Sequence, residues 1–113
     1  MSAVTEARLW YLQRSSAMVL ALCVVVHIVA IVYAVRGGST GAEILGRTRG
    51  NAMFAAFYVL FVVAAAIHAP IGLARIAEEW LQWRGRWLNG LLLIFAVVLM
   101  TVGLSAVWGL YGG

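Results

Sequence analysis

The sequence predicts an all-α integral membrane protein: a bundle of three transmembrane helices with short interfacial helical segments. Two observations carry this. The 113 residues are 65% hydrophobic and only 11% charged, with a mean hydropathy of +0.99. That is more apolar surface than a soluble domain of this size can hide. Three apolar stretches, about 15–35, 51–73 and 88–108, reach or approach the roughly 20 residues that cross a bilayer as a helix. Short connections leave no room for a soluble domain, so residues 1–113 read as one membrane domain.

The segment VTEARLWYLQR, residues 4–14, mixes charge with Leu9, Trp10, Tyr11 and Leu12. It reads as interfacial sequence leading into the first span. That span is longer than the 7–15 apolar residues of a secretory leader and is expected to be retained. The first connection, RGGSTGAEILGRTRGN, is rich in Gly and Arg. It is long enough for the first two spans to stand apart. The second, EEWLQWRGRW, places Trp80, Trp83 and Trp87 at i, i+3 and i+7. On a helix these share one face, suited to lying on headgroups. Trp108 and Tyr111 mark the opposite interface.

All basic residues are Arg. Arg8, Arg14, Arg75, Arg84 and Arg86 fall at one end of a three-span bundle, and Arg36, Arg47 and Arg49 at the other. The excess at the first end places the N-terminus in the cytoplasm and the C-terminus outside, in an inner or cytoplasmic membrane. The formal net charge of +4 is what such anchors give. No basic run points to nucleic acid. The single cysteine, Cys23, lies inside the first span. It can form no intrachain disulfide and no CxxCH haem attachment, and it reads as a small buried hydrophobe.

The two histidines, His27 and His68, both fall within spans. An ionisable residue at membrane depth is a functional candidate. The alternative is a neutral imidazole hydrogen-bonded to a neighbouring helix. Counted from Ser16 and from Glu78, each histidine lies roughly 15–16 Å from the same membrane face. Two imidazoles at one level on oppositely directed helices look like axial ligands of haem b. Gly72 lies one turn after His68, with Ala64 and Ala65 one turn before it. The third span offers Gly90, Ala96 and Gly103. Such residues make room for a flat cofactor, or let helices approach closely without one. Pro70 should release the Ala66 carbonyl and bend the second span. Arg14 and Arg75, near the same end of the histidine-bearing spans, suit haem propionates or a quinone carbonyl. Each is equally compatible with a snorkelling anchor.

LQRSSAMVLAL resembles the leucine–histidine–arginine–x–serine/threonine–glycine opening of the first helix in the cytochrome b membrane-anchor subunit of succinate dehydrogenase and fumarate reductase. HAPIGLAR resembles the His-x-x-x-Gly-x-Arg-His segment of that family's second helix. The resemblance implies that His68 is an axial haem b ligand with Gly72 beside it. It implies that Arg14 and Ser16 lie at the quinone site, Arg14 also near the propionates. Gln13 stands where the family has His, Ala17 where it has Gly, and Trp10 where some members have a quinone-contacting Ser. Ala74 and Arg75 replace Arg-His, which moves the positive charge by one residue. Members with one haem take one ligand from each of two subunits; some hold two haems and use a first-helix His as well, the role open to His27.

The resemblance also implies flavoprotein and iron–sulfur partner subunits, with a second anchor subunit or a second copy of this chain beside them in the lipid. The chain would carry no dicarboxylate chemistry itself. It would pass electrons between the iron–sulfur partner and quinone. The alternatives are a b-type cytochrome serving another dehydrogenase, or a haem-free structural or transport subunit with the histidines as polar glue.

Overall fold

The computed structural model describes residues 3–112. It contains four helices: α1, Ala3–Arg36; α2, Gly41–Thr48; α3, Ala52–Trp80; and α4, Arg86–Tyr111. No strand occurs among the described residues. Helices α1, α3 and α4 are each long and apolar enough to cross a membrane. They run alternately up, down and up, and α3 packs against both of the others. The bundle measures 50 × 25 × 24 Å. Its length matches the 34 residues of α1, which at 1.5 Å each rise about 51 Å.

Each helix end has a local cause. α1 stops at the Gly37–Gly38 pair. Gly38 takes φ 73°, and the Ser39 N–H reaches back to the Ala34 carbonyl, a left-handed C-cap that favours glycine. α2 begins with Thr40 as its N-cap. Thr40 Oγ1 accepts from the Glu43 N–H and donates to Glu43 Oε1, both at 3.2 Å. Asn51 caps α3 by accepting from the Met53 and Phe54 N–H groups at 3.0 and 3.3 Å. Gly50, at φ 73°, turns the chain between α2 and α3 and donates its N–H to the Tyr111 carbonyl. That bond ties the α2–α3 turn to the end of α4.

The residues with an interfacial reading take three different forms. Residues 4–14 are not a separate segment, because α1 is continuous from Ala3. The first connection does contain a short helix, α2. The three tryptophans do not share a helical face. α3 ends at Trp80 and the chain is non-helical from Leu81 to Gly85, with positive φ at Gln82 and Gly85. All three remain exposed at one end of the bundle, so the aromatic belt survives without the helix.

Nor do the first two spans stand apart. His27 touches Tyr58, and Gln13 lies over Gly72. The α3–α4 seam is closer still. A Cβ on Gly103 would sit 2.5 Å from Val62 Cγ1. Here the small residue serves close helix approach. α3 runs through Pro70 as one helix, and Pro70 itself is buried. Among described residues of α1 only Ser16 and Cys23 are buried. Met18, Leu22, Val25, Ile28 and Val29 are all exposed. In a bilayer such a surface faces lipid or another subunit, since apolar contact with hydrocarbon carries no penalty.

Candidate functional site

The α1–α3 seam carries both histidines, and its register is set by two contacts. Gln13 faces Gly72 and His27 faces Tyr58. Fourteen residues separate these contacts on each helix, so the antiparallel pairing stays in step. On that register the residue opposite His68 is Ala17. It lies ten residues from His27, about 15 Å of helix rise. The expectation that the histidines share one level is therefore corrected. Ser16 and Glu78 do not mark one membrane face, because α1 is shifted along α3 and neither residue is a helix end.

The two imidazoles also differ in their surroundings. His27 Nδ1 lies 3.2 Å from the Tyr58 hydroxyl. Its ring is held edge-on between Tyr58, at a centroid distance of 5.7 Å, and Phe61, at 5.8 Å. His27 thus has a polar partner within the chain. His68 does not: its Nδ1 is buried with no hydrogen-bond partner. The only other buried side-chain polar atom so placed among the described residues is Gln13 Oε1. Gln13 Nε2 would lie 3.3 Å from a Cβ at Gly72, so Gly72 provides the notch in which the amide rests. Ser16, 6% exposed, donates its hydroxyl to the Gln13 carbonyl at 3.1 Å. It steadies the turn that carries the amide.

The structure therefore gathers Gln13, Ser16, Gly72 and His68 into one polar seam and sets the arginines apart. Arg14 points outward, its guanidinium 5.7 Å from the centre of the Trp10 ring, a cation–π distance. Arg75 pairs with Glu78 at 3.3 Å. That pair borders a mostly apolar groove of about 440 Å³ between all three spans, with Pro70 in its wall and Asn89 among its few other polar groups. Among the described residues no three of His, Cys, Asp and Glu cluster as a chelating metal site. Gln13 and Tyr58 escaped the sequence reading as partners. Neither stands out without the helix register, which composition does not encode. The departure of Gln13 from the family pattern was the one available signal.

Three antiparallel spans, with unpartnered polar groups in an otherwise apolar seam and broad exposed apolar faces, define a multi-pass membrane subunit built to sit among lipid and other chains. The model of the succinate dehydrogenase/fumarate reductase transmembrane subunit family matches residues 1–104. The chain belongs to that family and is a membrane anchor subunit. No curated protein and no solved structure matches it.

Proposed function

We propose that residues 1–113 form a single haem b-binding anchor domain. It serves a succinate:quinone or quinol:fumarate oxidoreductase and links an iron–sulfur subunit to membrane quinone. One observation carries the haem assignment. His68, at the position of the family's axial ligand, is a membrane-embedded imidazole whose buried Nδ1 finds no partner. An unpaired buried polar group costs about 1–3 kcal/mol. Haem b iron would be held at the ring's other nitrogen, Nε2, with the Nδ1–H then needing an acceptor. Haem b supplies a one-electron carrier at membrane depth. His68 would hold it from one side, while Arg14, exposed beside Trp10, would suit propionate or quinone oxygens presented by a neighbouring subunit. The five arginines at that end favour placing it in the cytoplasm, where the flavoprotein and iron–sulfur partners dock.

A second ligand would come from another chain, a second anchor subunit or a second copy of this one, because His27 is about 15 Å off the level of His68. His27 is instead the polar pin between α1 and α3. That offset also favours a second reading, since two stacked haems need ligands at different depths. The haem-to-protein ratio decides between them. We expect His27→Ala to leave haem stoichiometry and coordination unchanged, and to weaken α1–α3 docking by about 1 kcal/mol. Loss of one of two haems would establish the stacked arrangement. A reduced-minus-oxidised spectrum of the wild-type complex tests the whole reading: an absent α-band in folded protein removes it.

The quinone role falls to Arg14 and Ser16. Among the described residues Arg14 is exposed beside Trp10 with no carboxylate partner, which supports a role facing a site completed by a neighbouring subunit. Replacing Arg14 with Leu should lower quinone turnover by about 10-fold or more, the effect of removing a charge-assisted hydrogen bond, with haem content retained. Unaltered quinone kinetics would remove Arg14 from the site. Ser16 has a smaller part, because its hydroxyl already donates to the Gln13 carbonyl.

A further inference from the structure

We infer that Gln13 is a positioning residue for His68. Its amide oxygen accepts a hydrogen bond from Nδ1–H, leaving the lone pair on Nε2 that would bind iron. The inference rests on the haem reading of His68 above and adds to it the residue that sets the tautomer.

Two buried side-chain polar atoms lack partners among the described residues, Gln13 Oε1 and His68 Nδ1. They lie on facing helices, and they are complementary: an amide oxygen only accepts, and Nδ1 of the required tautomer donates. Proximity follows from Gly72. Its Cβ position lies 3.3 Å from Gln13 Nε2. Residues four apart on a helix share a face, with Cβ positions about 5–6 Å apart, so His68 lies one turn along the same seam from the amide. The two atoms are not bonded as they stand, and the inferred bond requires the Gln13 side chain to turn toward the imidazole. One bond between them relieves both desolvation penalties, in a bilayer where bulk water offers no substitute. The Ser16 hydroxyl, donating to the Gln13 carbonyl, fixes the turn that carries the amide. A metal-bound histidine whose other ring nitrogen is engaged is held in orientation and made a stronger base. The absence of a Cβ at Gly72 is then explained by the amide.

The test uses the full chain in its assembled membrane complex. Gln13→Met keeps length and removes the acceptor; Gln13→Glu supplies a stronger one. The readouts are haem retention against a haem scavenger, the low-spin electron paramagnetic resonance signature and the midpoint potential. The Met variant should retain haem about 10–100-fold less tightly, with a raised potential. The Glu variant should restore retention and lower the potential below wild type, because a more basic ligand favours ferric iron. Gly72→Ala, which crowds the amide, should shift the potential in the same direction as Met, and it carries the test if the Gln13 variants do not assemble. Retention, resonance signature and potential at wild-type values in the Met variant, or in Gly72→Ala, would overturn the inference. Failure of the haem reading is separate: it would show as haem spectra that survive His68→Ala.

Discussion

His68→Ala is expected to abolish the low-spin haem spectrum that the proposed function requires, while leaving the helix bundle folded. The two halves of this prediction have different origins. The spectral loss follows from chemistry, since alanine offers iron no ligand and no other imidazole of this chain lies at that depth. His27 is about 15 Å away along the seam and already bonded to Tyr58. The stability half follows from solvation. Alanine removes the buried Nδ1 of His68 but also takes away the partner inferred for Gln13 Oε1, so a gain and a loss of about 1–3 kcal/mol each oppose one another and the bundle should stay folded. The measurement is a reduced-minus-oxidised spectrum paired with size exclusion and thermal unfolding in detergent. A six-coordinate spectrum in the variant would sink the ligand assignment. A collapsed bundle without haem would show His68 to be structural. His27→Ala should show the converse pattern, with the spectrum kept and the α1–α3 seam loosened.

The contrast between the histidines shows what the sequence could carry. Their presence at membrane depth was legible, because three apolar runs set the spans and each histidine interrupts one. HAPIGLAR carries the family resemblance from which the roles proposed for His68 and Gly72 come. The relative depth of the two was not. Depth in sequence is counted from helix ends, and α1 runs without a break from Ala3 through the segment that composition marked as interfacial. A displacement of one antiparallel helix along another leaves every residue's own periodicity unchanged. It is fixed only by contacts such as Gln13 on Gly72 and His27 on Tyr58.

The connections divide in the same way. The Thr40 N-cap with its bonds to Glu43 and the Gly37–Gly38 stop lie in the local sequence and act locally. The tryptophan spacing at 80, 83 and 87 was a helical pattern without a helix. Its break at Leu81–Gly85 follows from the left-handed residues Gln82 and Gly85. The arginines were legible as charge but not as partners. Moving the family's cation to Arg75 placed it three residues from Glu78, on the same helical face, and the two pair.

Gly103 is where the largest effect on stability is expected. A Cβ there would meet three atoms of one side chain, Val62 Cγ1 at 2.5 Å, Cγ2 at 2.8 Å and Cβ at 3.2 Å. Valine in a helix has one strongly preferred rotamer, so it cannot swing both methyls aside. The backbones of α3 and α4 must separate instead. Gly103→Ala should therefore destabilise the bundle by about 1–3 kcal/mol, and Gly103→Leu by more. A helix-propensity argument alone gives the opposite sign, since alanine is the better helix former by about 1 kcal/mol. The sign of the measured change thus decides between propensity and packing. Val62→Ala removes the obstructing methyls, and in the double variant Gly103→Ala should become neutral or stabilising. Thermal unfolding in detergent across the four-member cycle gives the coupling directly. Because α4 approaches α3 at Val62, whereas the His68–Gln13 seam lies against α1, surviving Gly103→Ala complex should keep the wild-type haem spectrum at reduced yield. A cycle with no coupling would mean that the seam between α3 and α4 is looser than the 2.5 Å approach requires.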